Sequence, residues 1–148
     1  MTVEKVKRKL KTVRSLKVRL FVLQRSIDEL ADEISGVTAI DYTKVKVKTS
    51  QTNSVEQRYL KQADRLKALQ IEYENIFDEL CAVEDELGER MKRLNPTEYK
   101  VIDARYISGL YPVSIKSVAR QLGYNYESIK KIQQRAFRKM SDESFSSA

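Results

Sequence analysis

The stretch Ser114 to Met140, SIKSVARQLGYNYESIKKIQQRAFRKM, carries the clearest folding signals in this chain of 148 residues. Ser114 precedes a short amphipathic pattern and Asn125 precedes a longer one, and both residue types are common helix N-caps. Between them, Gly123 can adopt the positive φ that a tight turn between two helices requires. A short helix, a glycine turn and a capped longer helix are typical of a helix-turn-helix, which we predict here.

The residues before this stretch predict one more helix of the same small domain. Asn95-Pro96-Thr97-Glu98 places asparagine at the N-cap, proline at the first helical position and glutamate where it can return the capping bond. The apolar spacing that follows predicts a helix that ends at Gly109. We therefore predict a domain over residues 94–141, followed by a flexible polar tail over residues 142–148.

The last helix of this domain is predicted to expose polar and basic side chains opposite its apolar face. In a helix-turn-helix, the first residues of the second helix reach base edges and later ones meet phosphates. The residues predicted to contact bases are Tyr126, Glu127, Ser128, Lys130, Lys131 and Gln134. The residues predicted to contact phosphates are Ser114, Lys116, Arg120, Asn125, Arg135 and Arg138.

Upstream of this domain, two long segments repeat apolar residues every seven positions, which is the spacing of a coiled-coil seam. Gly36 is predicted to end the first helix, and Ser54 with Gln57 forms a capping box that is predicted to open the second. Residues 37–53 are then a connection, in which alternating valine and lysine favour a loop over an isolated strand. We predict an all-α protein with a long antiparallel coiled-coil hairpin over residues 1–93, which self-associates or docks on a partner.

The charges of the two segments are segregated. A hairpin places the basic run of residues 5–17 alongside the acidic run of residues 72–86, whereas a parallel arrangement of the helices would lose this match. We favour this internal pairing, because charge runs on helices are usually solvated faces. The alternative is that the basic run contacts DNA or a membrane surface directly.

The composition narrows the possible functions. The formal net charge of +7 favours a polyanionic partner, and the chain contains no histidine and only one cysteine, Cys81. His-based catalysis, the usual zinc sites and an intrachain disulfide are therefore not expected, and we predict no cofactor, no metal site and no enzymatic activity. The apolar runs are far shorter than the roughly 20 residues of a membrane helix, so we expect a soluble, intracellular protein.

The C-terminal third resembles region 4 of bacterial sigma factors. Leu94-Asn-Pro-Thr-Glu-Tyr-Lys-Val-Ile-Asp-Ala-Arg-Tyr is similar to the first helix of that region, and Ser114 to Met140 is similar to its helix-turn-helix without a gap. The ending Arg135-Ala-Phe-Arg-Lys-Met resembles the family's Lys/Arg-Ala-Leu-Arg-Lys-Leu. Tyr126-Glu127-Ser128 stands where housekeeping members have Arg-Glu-Arg, which departs from the residues behind the usual promoter preference.

The layout of a helical segment followed by this module resembles the small phage-encoded late-gene regulators of the ArpU and RinA type. The resemblance implies a transcription activator of phage late genes in the bacterial cytoplasm, which binds promoter or operator DNA as a dimer. Host RNA polymerase is a further implied partner. Two alternatives remain open: a DNA-packaging initiator similar to a small terminase subunit, and an adaptor that contacts RNA polymerase but not DNA.

Overall fold

The computed structural model describes residues 1–44 and 49–142, with side chains described for residues 1–36 and 55–142. All regular structure in these residues is helical, as the sequence predicts. The helices are α1 Val3–Lys44, α2 Thr49–Met91, α3 Pro96–Ile102, α4 Ile115–Leu122 and α5 Tyr126–Ser141. A π-helical turn, Asp103–Ile107, continues α3. Within the described ranges, every helix is too short or too polar to serve as a membrane span.

The described residues form two compact units, and both long helices contribute to each of them. The first unit combines residues 1–18 with residues 79–142, and the second unit comprises residues 19–78. The division between residues 93 and 94 that the sequence indicates stays a prediction, and residues 143–148 of the expected tail lie outside the described residues.

The long helices extend further than their sequence signals indicate. α1 continues through Gly36 to Lys44, and α2 begins at Thr49 rather than at Ser54. Gly36 does not end α1 because one glycine inside a helix costs only about 1 kcal/mol relative to alanine, and no proline follows to interrupt the hydrogen bonds. The prediction of a non-helical connection over residues 37–53 is therefore wrong at both ends. The alternating residues 45–48 lie outside the described residues.

In the first unit, α1 and α2 run antiparallel and bury apolar side chains between them. The buried apolar residues of the two helices here are Val6, Leu10, Val13, Leu16, Leu80, Leu87 and Met91. Lys9 pairs with Glu86, and Lys17 Nζ lies 3.8 Å from Glu84 Oε1. The predicted pairing of the basic run with the acidic run is confirmed at these two lysines.

The second unit consists of the remaining described parts of α1 and α2. Leu20, Leu30 and Ile76 are buried in it, and Arg19 Nη2 lies 4.0 Å from Glu72 Oε1.

The helix-turn-helix follows the predicted local signals closely. Ser114 Oγ accepts a 3.2 Å hydrogen bond from the Ser117 N–H and starts α4, and Asn125 Oδ1 accepts a 2.8 Å bond from the Ser128 N–H and starts α5. Gly123 ends α4 with a φ of +76°. The predicted caps and glycine turn are confirmed, and the core they enclose consists of Val101, Val118, Ala119, Ile129 and Ile132.

Candidate nucleic-acid interface

Helix α5 separates its apolar and polar residues onto two faces. Ile129, Ala136 and Met140 are 0% exposed and pack into the core. The exposed residues of α5 are Tyr126, Glu127, Lys130, Lys131, Gln134, Arg135 and Arg138. Ser128 is only half-buried, but its N–H is bonded to the Asn125 side chain. Nearly every residue predicted for α5 is therefore accessible from outside the domain.

The predicted phosphate contacts that lie outside α5 divide into two kinds. Lys116 and Arg120 are exposed basic side chains. Ser114 and Asn125 are exposed as well, but their side-chain oxygens accept the first N–H bonds of α4 and α5. The two caps thus orient the helix starts, while Lys116 and Arg120 supply positive charge along α4.

A cleft of about 940 Å³ separates α5 from the first turns of α1, within the first unit. Its lining includes Tyr106 and Phe137, whose rings meet edge to face at a centroid distance of 5.7 Å. The lining contains six cationic side chains and no carboxylate. We call it the basic cleft, and its cations are Lys7, Lys11, Arg14, Arg105, Lys130 and Arg138.

Basic side chains of α1 dock on the end of the π-helical turn. Arg14 Nη2 donates to the carbonyl oxygens of Arg105 and Ser108 at 2.8 and 3.2 Å, and Lys17 Nζ donates to that of Ile107 at 3.4 Å. Cations stabilise a helix C-terminus because its last carbonyls lack helical partners. Burial lowers the pKa of Arg14, against a raising influence of Tyr106. These contacts hold α1 against the end of the π-helical turn.

Two arginines, one in the last turn of α2 and one just after it, act in the same way at the end of α5. Arg90 Nη1 donates to the Met140 carbonyl at 2.6 Å, and Arg93 Nη1 donates to the Asp142 carbonyl at 2.6 Å. Arginine side chains therefore bind the last carbonyl groups of both the π-helical turn and α5.

The residues predicted to contact DNA do not all lie together in the structure. Lys130 and Arg138 line the basic cleft, whereas Lys131 does not. Sequence reasoning missed Lys7 and Lys11, because it assigned the whole basic run to pairing with α2. The signal was present in the spacing: Lys7, Lys11 and Arg14 fall on one face of α1, opposite Lys9.

Comparison with families of known proteins gives a match to the C-terminal part of the chain. Residues 90–142 match the family model of sigma-70, region 4, and this part contains the end of α2 together with α3, α4 and α5. No curated protein and no solved structure matches the chain. The matched part is a helix-turn-helix domain similar to sigma region 4, and domains of that class bind DNA in transcription.

Proposed function

We propose that this protein is a sequence-specific, DNA-binding transcriptional regulator whose helix α5 enters the major groove. The observation that carries the proposal is the exposed polar and basic face of α5, in a domain similar to sigma-70 region 4. An α-helix fits the major groove, where each base pair presents a distinct pattern of donors and acceptors.

The first turns of α5 supply the groups for base recognition. The Glu127 carboxylate can accept from the N4 amino group of cytosine, and Lys130 or Lys131 can donate to guanine O6 and N7. Tyr126, half exposed at the start of α5, offers a hydroxyl and a ring edge. The set proposed to contact bases is the predicted one: Tyr126, Glu127, Ser128, Lys130, Lys131 and Gln134.

Phosphate contacts are proposed on either side of this set. Lys116 and Arg120 lie on α4, the helix that crosses the backbone in helix-turn-helix complexes. Arg135 and Arg138 lie in the later turns of α5, where phosphates replace base edges. Ser114 and Asn125 are included through the N-terminal N–H groups of the helices they cap.

We further propose that the protein binds DNA as a dimer through its long helices. A single helix-turn-helix gains useful affinity by pairing on half-sites about 34 Å apart. The second unit exposes large apolar side chains, with Phe21 57%, Val22 55%, Leu60 59% and Ile71 52% accessible. Exposure of these apolar side chains to water is unfavourable. We propose that the second unit of another copy of the protein packs against them.

The proposed setting is activation of late genes encoded by a phage or prophage, in a bacterial cell, with host RNA polymerase as a partner. The support is the layout of the chain, in which long helices precede a region 4-like domain.

The proposed regulatory function is tested by titrating the protein against the promoter regions of the source genome at several salt concentrations. The wild type is expected to retain one region specifically, with affinity that falls steeply as salt rises. The Lys130→Ala/Lys131→Ala variant is expected to lose that preference, because both lysines belong to the set proposed to contact bases.

A matched control removes the same charge from α2. Lys61 and Lys67 are exposed lysines of the second unit, and Lys61→Ala/Lys67→Ala should leave the sequence preference unchanged. If the wild type and the Lys130→Ala/Lys131→Ala variant bound all promoter regions equally and weakly, the proposal of a sequence-specific regulator would be wrong. A ring-sized oligomer bound to a packaging site would point to packaging initiation, and polymerase binding without DNA binding would point to an adaptor.

A further inference from the structure

We propose that the basic cleft binds the sugar-phosphate backbone of the DNA duplex, so that α1 forms part of the DNA-binding surface. The proposal rests on the proposed function, because a duplex in contact with α5 brings its backbone to the cleft. It adds Lys7, Lys11 and Arg14 to the residues that contact DNA.

The first observation is a contrast between two faces of the same helix. Lys9 turns towards α2 and pairs with Glu86, whereas Lys17 lies 3.8 Å from Glu84 Oε1 and also donates to the Ile107 carbonyl. Lys7, Lys11 and Arg14 follow one another at spacings of four and three residues and share another face. Among the described residues, no carboxylate forms an ion pair with any of these three cations. Neutralisation is therefore selective, and it leaves this face positive.

The second observation is the opposite wall of the cleft. Lys130, Gln134 and Arg138 recur every fourth residue along α5, so they form a row on one face of that helix. The same residues belong to the proposed DNA-contacting set. An anion that meets this row lies beside the cationic row of α1, because both rows line one cleft.

The third observation is that two of the three α1 cations are held in place before any ligand arrives. Arg14 is fixed by the carbonyl groups of Arg105 and Ser108. Lys7 Nζ lies 5.3 Å from the centroid of the Phe137 ring, a cation–π distance. Side chains that are already ordered lose less conformational entropy on binding, which favours a binding role for them.

The chemistry and length of the cleft suit a polymeric phosphate. The six cationic side chains that line the cleft repel one another, because no carboxylate lies among them. A bound polyanion would offset that repulsion. The row from Lys7 to Arg14 covers roughly 10 Å of helix at about 1.5 Å per residue. Duplex DNA presents phosphates about every 3.4 Å along the axis of each strand, so this row matches about three of them.

The test compares the salt dependence of duplex binding for the wild type and Lys7→Ala/Lys11→Ala. Backbone contacts are independent of sequence, so both the retained promoter duplex and a random-sequence duplex are titrated. On both duplexes we expect weaker binding and a slope of log affinity against log salt that is about two units shallower. Thermal unfolding of each variant verifies that the fold is kept.

The matched control is Lys5→Ala/Arg8→Ala, which removes the same charge from exposed positions of the same helix outside the basic cleft. It should change the slope by less than half as much. Equal slopes and affinities for the two double variants would overturn the role of the cleft.

Further measurements distinguish a free nucleotide from duplex DNA as the ligand of the cleft. They also distinguish a failure of the cleft proposal from a failure of the regulator proposal. ATP is the probe for a free nucleotide: ATP binding that depends on Lys7 and Lys11, with duplex binding that does not, would overturn the backbone assignment. Random-sequence binding that depends on Lys7 and Lys11, without any preferred promoter, would support the cleft and overturn the sequence-specific regulator. Absence of all duplex binding by the wild type would overturn both.

Discussion

Lys139 Nζ lies 2.6 Å from Glu98 Oε1, and this ion pair joins the end of α5 to the first turn of α3. Glu98 is 2% exposed, and its other oxygen, Oε2, has no hydrogen-bond partner among the described residues. The α3 cap bond comes from Asn95, whose Oδ1 accepts from the Glu98 N–H at 2.8 Å. Glu98 therefore serves tertiary packing instead of the reciprocal capping bond that its position in the sequence suggests.

Removal of Lys139 is expected to leave a buried carboxylate without its counterion. For Lys139→Met we expect a loss of about 2 to 3 kcal/mol in the free energy of unfolding, below the upper range for buried pairs because Lys139 reaches solvent. Urea unfolding measures the loss. The double variant Lys139→Met/Glu98→Gln should recover most of it, since the charge is gone. Equal losses for the single and double variants would contradict the ion-pair interpretation.

Arg14 is expected to stabilise the contact between α1 and the π-helical turn. Arg14→Met removes two hydrogen bonds from a charged donor, for which we expect a loss of about 1 to 2 kcal/mol in the free energy of unfolding. The control is Arg25→Met, which breaks an exposed pair with Glu29 one helical turn away and should cost at most about 0.5 kcal/mol. Chemical denaturation of both variants provides the comparison, and similar losses would argue against a specific docking contact.

Gly123 is expected to be the glycine whose backbone conformation matters most to the turn before α5. Its φ of +76° is unfavourable for other residues, so Gly123→Ala should cost about 1 to 2 kcal/mol. Gly88 lies inside α2 and has open space around an added Cβ, so Gly88→Ala should stabilise the protein by up to about 1 kcal/mol. Opposite shifts in Tm are the expected result; shifts of the same sign would contradict it.

Tyr106 is expected to limit stability at alkaline pH. Burial raises the pKa of Tyr106, and the nearby cations Arg105 and Arg14 oppose the rise. Because the folded-state pKa lies above the unfolded value of about 10, the stability from a neutral phenol is complete below that value and is lost as pH rises through the folded pKa. Tyr106→Phe should therefore lose stability less steeply than the wild type above about pH 10.

Unfolding free energies measured at several pH values from neutral to alkaline would show this difference. Tyr111→Phe is the matched control, because Tyr111 is 79% exposed and should leave the alkaline loss unchanged. Parallel curves for the wild type and Tyr106→Phe would show that other groups dominate alkaline unfolding.

The outward apolar residues of α2 are expected to belong to the dimer interface. Leu60 and Ile71 are eleven residues apart and lie on the same face of the helix. Leu60→Glu/Ile71→Glu should weaken self-association about 100-fold or more, since burial of an unpaired charge costs several kcal/mol. Analytical ultracentrifugation measures the change, with exposed Lys61→Glu/Gln70→Glu as the control. A wild type that stays monomeric at all concentrations would contradict the interface.

Local sequence signals were sufficient to predict the parts of the fold in which hydrogen bonds join residues close together in the sequence. Ser114, Gly123 and Asn125 act on backbone groups within a few residues, so their roles could be predicted without knowledge of the rest of the chain. Gly36 shows the limit of such signals. A glycine can end a helix or be carried inside it, and the difference of about 1 kcal/mol is small beside the contributions of neighbouring turns.

The sequence by itself determined the all-helical class, the helix-turn-helix and the polar face of α5, because each follows from spacing and caps within one segment. Only the tertiary structure decided which cations face carboxylates and which face the cleft. Lys7 and Lys9 are two residues apart in one basic run, yet one lies over Phe137 and the other pairs with Glu86. Their partners come from residues far along the chain, and the packing of α1 against both α2 and α5 brings those partners within reach.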